Sequence, residues 1–507
     1  MQGTNRIIIN TLAQYIRTII NMVLSLYSSR LVLHILGIED YGIYSLVAGV
    51  VSMLSFLTNS LVGSTQRFLS VSQGKGNIEK LKEVFSNSML LHIGLGLMVA
   101  VILAVLTSFI FNGFLNIPYE RIEVAKSLYI LVILMVYCSF IASPYRALLV
   151  AHENIVYISI VDVFDGLLKV ILVLLLQYSP LDKLLSYGFL MLGIQMFNLL
   201  AFMIYSHAKY EECIFPKIRM FSLAYVKDLA TFTGWVVYSS ICITFRTQGL
   251  AVVLNKIYGA AMNAAYGIGS QISGMVAFIS TSFNNAIAPQ LMAAEGAGDR
   301  NKMMVLAEAQ SKISFLLLAM IGVPTMFEMQ YLLKLWLGQA PEYSALFGCM
   351  FLACQIVDML STGLGLANKA MGNIGKYTLL TNTPKLLVFP LCWIVLKLNQ
   401  SLLLVTILVF GVEAFCMLLR ICLFRKESWF NAWGYCKSVI LRSVPPVIIS
   451  ILACSLIYHY VHTDLRFIYT YLGSIPVFLF TAYLITFNIN EKDFVKSILK
   501  KIFSYIR

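Results

Sequence analysis

Arg17 sits inside a stretch of membrane length, and its type and surroundings limit what it can do there. At 100° per residue, Asn10, Gln14, Arg17, Asn21, Ser25 and Ser28 fall within roughly a 100° sector, while Ile8, Ile9, Leu12, Ile16, Ile19, Ile20, Val23 and Leu26 cover the rest of the helix. An arginine at mid-membrane costs a few kcal/mol or more, so it must face an aqueous lumen, a buried carboxylate or an anionic ligand. Its guanidinium stays charged and offers forked donors that match phosphate and carboxylate groups. The plainer reading is that Arg17 snorkels to an interface or is neutralised by a carboxylate.

Other charges lie in apolar segments. Arg30 is near the far end of the first segment, and Arg246 shares a face of a later one with Ser239, Cys242 and Gly249. Arg17, Arg246, Gln14, Asn21 and Arg30 are therefore the candidate lumen residues. Asp165 and Lys169 stand in the favourable i to i+4 order of an ion pair and are expected to neutralise each other structurally. Lys385 lies one turn from the repeat equivalent of Lys169. Asp162, Asp358 and Glu413 have no partner at local spacing, apart from Arg420 seven residues beyond Glu413, and are candidates for binding a coupling proton or cation.

Enzymatic chemistry finds little support. The six histidines are scattered, and no Ser, His or Cys constellation suggests catalysis. The ten cysteines include no C-x-x-C pair, so no metal site or disulfide framework is expected. The glycines near Gly94, Gly267 and Gly363 follow no predicted strand, and 372–376 departs from the P-loop pattern, so nucleotide and other cofactors are not expected.

Composition supplies the frame for these side chains. Of 507 residues, 59% are hydrophobic and only 12% charged, about half the charge content of soluble domains; the mean hydropathy is +0.82. The chain reads as an all-α polytopic membrane protein. The net charge of +13 sits in short loops, which argues for membrane orientation rather than nucleic-acid binding. Gln14, Arg17 and Asn21 interrupt any signal-peptide core, so the first segment is expected to remain as a span.

Apolar runs place fourteen helices at 7–36, 42–62, 89–111, 128–144, 155–176, 184–206, 229–254, 264–287, 313–327, 345–367, 377–396, 402–424, 444–461 and 467–487. Lys and Arg number 24 on the side of the N-terminus and 7 on the other, so both termini are expected in the cytoplasm. The linker 207–228, basic and broken by Pro216, reads as a flexible connection. The tail at 488–507 shows one apolar face opposite Lys496, Lys500 and Lys501, the pattern of a helix lying on an anionic leaflet.

The halves resemble each other. Gly37 and Tyr44 recur as Gly259 and Tyr266 at an offset of 222; Gln66, Gly74 and Asn77 recur as Gln290, Gly298 and Asn301 at 224; Ala151, Asn154 and Ile155 recur as Ala370, Asn373 and Ile374 at 219. Six spans separate the copies, an even number, so the repeat is parallel. The expected organisation is an N-lobe at 1–206, the linker, a C-lobe at 229–424, and two further spans within 425–487.

On these features, with Leu36-Gly37 through Tyr41-Gly42-Ile43-Tyr44, Gln66-Arg67-Phe68 and the two-fold six-span repeat, the chain resembles the multidrug/oligosaccharidyl-lipid/polysaccharide (MOP) exporter superfamily, and within it the bacterial polysaccharide-type flippases of lipid-linked oligosaccharides. The resemblance implies two MATE-like six-helix lobes around a central cavity, alternating access in the bacterial inner membrane, and no catalysis. It also implies an anionic undecaprenyl-pyrophosphate glycan held by lumen cations, for which Arg17 and Arg246 are the candidates. Membrane lipids, a coupling proton or sodium ion and other polysaccharide assembly proteins are the further partners it suggests. A cation-coupled multidrug exporter would call for lumen carboxylates instead, which an arginine on the first helix argues against. A membrane glycosyltransferase or polymerase would need catalytic groups on a sizeable outer loop, and the outer loops here are short.

Overall fold

The computed structural model describes residues 2–488 apart from 110, 112–118, 181, 259, 338–340, 373, 400, 426, 428–429 and 464, together with 492. The described residues are helical almost throughout. In a bilayer no water satisfies backbone N–H and C=O groups, so apolar runs of this length must close their hydrogen bonds within each segment.

Helices α1 (Gln2–Gly74), α2 (Ile78–Phe109), α3 (Ile122–Ala151), α4 (Ile155–Leu176) and α5 (Lys183–Lys209) form the first half, and α6 (Leu223–Tyr258) and α7 (Ala260–Gly296) follow. Then come α8 (Arg300–Phe327), α9 (Met329–Leu337), α10 (Ser344–Met359), α11 (Thr362–Met371), α12 (Gly375–Leu386), α13 (Val388–Asn399) and α14 (Leu402–Phe424). The short α15 (Ala432–Tyr435) leads through a π-helical turn into α16 (Arg442–Tyr460), and α17 (Arg466–Thr481) is last. Among the described residues nine helices are long and apolar enough to cross a membrane, and the pair α10 and α11, bent by 51°, makes up to ten. Among the described residues all fourteen expected stretches fall largely on helix, so the structure is compatible with fourteen crossings.

Two expected spans, 7–36 and 42–62, run together in α1 and are separated only by Gly37, whose φ of 80° and ψ of 173° are open to glycine alone. The expected span 128–144 stops too early, because α3 carries Pro144 inside it and continues to Ala151. Neighbouring helices in a membrane bundle tolerate such a proline.

Burial on α1 follows the sequence stripe. Asn10 and Gln14 are each 3% exposed, whereas Ile9, Leu12, Ile16, Ile19 and Val23 are 52–64% exposed. The apolar face is the outer one, as it must be where the solvent is hydrocarbon; the polar face is buried at Asn10 and Gln14 and opens towards Ser25, which is exposed.

The chain separates into two compact units, the first comprising 1–238, 285–300 and 370–372, the second 239–284, 301–369 and 373–507. Among the described residues of the first unit, one apolar cluster centres on Leu128, Tyr129 and Phe140 and another on Phe85, Leu148 and Phe202. The second is built around Val253, Phe347, Val388 and Val405.

Backbone geometry carries the repeat. Gly76 and Gly298 both take positive φ, 69° and 78°, and so do Glu153 and Gly372, 58° and 93°, at offsets of 222 and 219. Gly76 N–H donates to the Gln73 carbonyl at 3.0 Å, and Gly298 N–H to the Glu295 carbonyl at 2.9 Å. Conformation thus aligns Gly298 with Gly76 rather than with Gly74, correcting the offset at that anchor from 224 to 222. At the same register Gly74 and Gly296 make reciprocal contacts within the first unit. A Cβ on Gly74 would lie 2.0 Å from the Ala293 carbonyl oxygen, and one on Gly296 would lie 2.0 Å from that of Val71.

The linker 207–228 is tied down, contrary to the flexible connection expected of it. Asn87 Nδ2 donates to the Met220 carbonyl at 2.8 Å, Ser222 N–H donates to Asn87 Oδ1 at 2.8 Å, and Lys217 N–H donates to Ser86 Oγ at 3.0 Å. Glu212 is 3% exposed and pairs with His152. Burial pushes the Glu212 carboxyl upward, but the His152 hydrogen bond, a backbone N–H and the charges of His152 and Lys82 outweigh it and hold it below its ordinary value. Pro216 signals a break in helix, which is present, and says nothing of the hydrogen bonds that fix the broken segment. The amphipathic pattern of the tail falls outside the described residues.

Candidate functional site

The polar face of α1 brings Arg17 against α4. Arg17 Nη1 donates to Asp162 Oδ2 at 2.8 Å, and Arg146 from the end of α3 donates to the same carboxylate through Nη1 to Oδ1 at 3.1 Å and Nη2 to Oδ2 at 2.8 Å. Two guanidinium groups therefore share one carboxylate, and the cluster keeps one positive charge in excess. Its side chains retain 19% (Arg17), 21% (Asp162) and 36% (Arg146) exposure, so the excess charge remains accessible. Asp162 is not the lone carboxylate that local spacing suggested.

Arg146 lies two residues beyond the expected span 128–144, which ends at Pro144 and so leaves it outside the membrane. The missed signal was the apolar run Ala147 to Val150 beyond the proline, which extends α3 by two turns.

One turn further along the same two helices lies a second polar cluster. Lys169 Nζ lies 2.6 Å from Asp165 Oδ2, and Asn198 Nδ2 on α5 donates to Asp165 Oδ1 at 2.6 Å. Gly166 permits the close approach here: an added Cβ would meet Asn21 Oδ1 and Leu24 Cδ1, each at 2.9 Å. Asn21, Ser25 and Ser28 face this region and line a cavity. The Arg30 side chain lies outside the described residues.

In the second unit Arg246 from α6 and Lys385 from α12 both pair with Glu413 of α14, Lys385 Nζ at 3.0 Å from Oε2. Glu413 is 1% exposed, and two cations again share one carboxylate. Arg420, one candidate partner for Glu413, donates instead to Asp358 Oδ1 at 2.7 Å and to Ser361 Oγ at 3.1 Å. All three candidate coupling carboxylates are thus engaged with arginine or lysine from other helices, which spacing along one helix could not reveal. Among the described residues no group of histidine, cysteine and carboxylates could hold a metal ion.

Long apolar helices in two units, with a repeated backbone and charges kept between helices, define a polytopic membrane protein of transporter type. Solved structures share the fold. A crystal structure of MATE in the bent conformation aligns with a TM-score of 0.75 at 14% identity, covering 87% of this chain and 97% of that one. A MOP superfamily transporter from Pyrococcus furiosus, whose structure is described as having a binding pocket of reverse polarity, aligns with a TM-score of 0.70 at 13% identity, covering 84% and 96%. The chain belongs to the polysaccharide biosynthesis protein family of the MOP superfamily, whose model matches residues 4–293. A relative, the uncharacterized membrane protein EpsK of Bacillus subtilis (strain 168), is 24% identical over 353 residues, covering 68% of this chain and 67% of the relative.

Proposed function

We propose that the protein flips a polyprenyl-pyrophosphate-linked oligosaccharide from the cytoplasmic to the outer leaflet of a bacterial inner membrane, for assembly of a surface polysaccharide. The observation that carries this reading is the shared carboxylate: Asp162 neutralises only one of Arg17 and Arg146, leaving an accessible positive charge on a membrane helix. A pyrophosphate has the charge and the oxygen geometry to take up both guanidinium forks. Family membership supports the glycan, and the net positive cluster weighs against the cationic substrates of a multidrug exporter.

In this reading Arg17 and Arg146 are anion ligands, Arg246 is a second contact, and Asn21 extends the polar face that the substrate meets, whereas Gln14, a lumen candidate by sequence, is 3% exposed and packs behind that face. Asp162, Asp358 and Glu413 act as counter-ions while no substrate is bound. A proton or sodium ion arriving at Asp162 would release the arginines to the pyrophosphate, which gives coupling a physical route. Transport alternates two lobes, 1–206 and 229–424, with both termini cytoplasmic and spans 425–487 appended. The protein acts as a carrier and makes or breaks no covalent bond.

The test is complementation in a strain that loses surface polysaccharide when the gene is deleted. Wild-type protein restores the polysaccharide, and a double Arg17→Ala/Arg146→Ala variant present at the same level in the membrane does not. Full restoration by that variant would rule out the anion-site reading.

A further inference from the structure

Two segments outside the expected spans are fastened in the same way, one in each unit. The helices that hold them, α2 and α8, begin at Ile78 and Arg300, 222 residues apart, and are equivalent in the repeat. In the first unit the segment between α5 and α6 is tied to α2 through Ser86 and Asn87, and the Tyr225 hydroxyl lies 3.3 Å from Ser88 Oγ. In the second unit the segment between α14 and α16 is tied to α8. Ser438 Oγ donates to Glu308 Oε2 at 2.9 Å, and the buried Tyr435 hydroxyl donates to Ser311 Oγ at 2.9 Å. Glu308 follows Ser86 by 222 residues, so the attachment recurs with the fold.

These ties fix each segment with large apolar side chains turned outward. Phe215 and Phe221 are 69% and 48% exposed, and Trp433 is 70% exposed. Phe215 is held by stacking on His207, with ring centroids 4.5 Å apart. Exposed cations accompany the rings: Lys217, Arg219 and Lys227 in the first segment, Arg425 and Lys437 in the second. Residues 213–227 contain no Asp or Glu, and 425–442 hold four cations against Glu427 alone.

Position selects the partner for this mixture of rings and cations. Both segments join the ends of membrane-length helices, so their side chains sit near the depth of lipid headgroups. Phe and Trp with Lys and Arg are the side chains of interfacial segments, and basic residues beside a span are drawn to anionic lipid. With fourteen crossings the segments follow six and twelve spans, both even, and therefore meet the same leaflet as the N-terminus.

We infer that these two segments are binding surfaces for anionic phospholipid headgroups, one on each unit. The rings enter the headgroup layer, and the flanking cations engage the lipid phosphates. The inference is independent of what is transported, and the orientation of the protein decides only which leaflet supplies the lipid.

The experiment measures equilibrium binding of chain-labelled phosphatidylglycerol and phosphatidylcholine to detergent-purified full-length protein. The wild type should bind phosphatidylglycerol about tenfold more tightly, and high salt should erase most of the difference by screening. Lys217→Gln/Arg219→Gln/Lys227→Gln and Arg425→Gln/Lys437→Gln should each remove part of the preference, and the five changes together should remove it. Phe215→Ser/Trp433→Ser should weaken binding of both lipids and leave their ratio unchanged. All of these side chains are exposed, so melting temperatures should stay at the wild-type value, which shows that the variants are folded. Equal binding of the two lipids by the wild type would overturn the inference and leave an acidic protein as the occupant. A preference that survives the five charge changes would overturn it as well. Neither result bears on the Arg17 site, because none of the substituted residues is a proposed substrate ligand.

Discussion

Arg17 Nη1 and Arg146 Nη2 end on the same oxygen of Asp162, each at 2.8 Å. Either arginine can be removed without leaving the carboxylate unpaired. Breaking a buried pair is destabilising chiefly because it strands a charge, and here the second guanidinium remains. Arg17→Ala and Arg146→Ala should therefore insert and fold at wild-type levels yet export less glycan, by about tenfold or more for each lost charged contact at roughly 1.5–3 kcal/mol. Arg17→Lys should recover only part, since a point charge replaces a fork. Membrane abundance and surface glycan measured together check this.

Asp162→Asn should have the opposite effect on binding. Without the carboxylate the two guanidinium groups are free, and affinity for a polyprenyl pyrophosphate should rise. Turnover should fall because release is slowed. Binding and initial export rate, measured on the same preparations, separate the two effects.

Glu413 has no such reserve. It is 1% exposed and serves both Arg246 and Lys385, so Glu413→Ala strands two cations in a dry environment. Loss of a buried partner costs about 3–5 kcal/mol, enough to lower the melting temperature of the purified protein and its yield. A neutral packing role would instead leave the melting temperature near that of the wild type.

Gly296 and Gly74 are packed against main-chain oxygens that cannot swing aside as a side chain would. Gly296→Ala should force α7 away from Val71 and lower thermal stability. Gly94→Ala, at a glycine with open space around the same position, should not.

Outside the spans, Asp182 caps α5 through the Leu184 and Leu185 amides and pairs with Arg121, which also holds Asp40. Burial pushes its carboxyl upward, but Arg121 and the two amides prevail and hold it below the ordinary carboxylate value. A depressed folded value means the stabilisation is fully present above the unfolded value and fades as pH falls through the folded one. Asp182→Asn should therefore destabilise the protein at pH 7 and make progressively less difference as pH falls below the ordinary carboxylate range, as judged by melting temperature measured along that fall.

Much of this was legible in the residues themselves. The 3.6-residue period of the α1 stripe gave its buried face, because burial of polar groups in a membrane is decided one helix at a time. The i to i+4 spacing gave the Asp165–Lys169 pair for the same reason. The partners of Asp162, Asp358 and Glu413 come from other helices, and no local spacing encodes which arginine reaches which carboxylate. Pro144 misled because it ends helices in water more often than in a bundle, and that error hid Arg146. Pro216 misled in another way, since absence of helix at 207–228 did not mean absence of hydrogen bonds.

The most direct measurement of the central claim is equilibrium binding of farnesyl pyrophosphate, compared with farnesol, to wild-type protein and to the double Arg17→Ala/Arg146→Ala variant. An anion site predicts that the wild type prefers the pyrophosphate strongly, that rising salt weakens this preference, and that the double variant loses it while its affinity for farnesol is unchanged. Equal binding of the two lipids by the wild type, or a preference that survives in the variant, would contradict it.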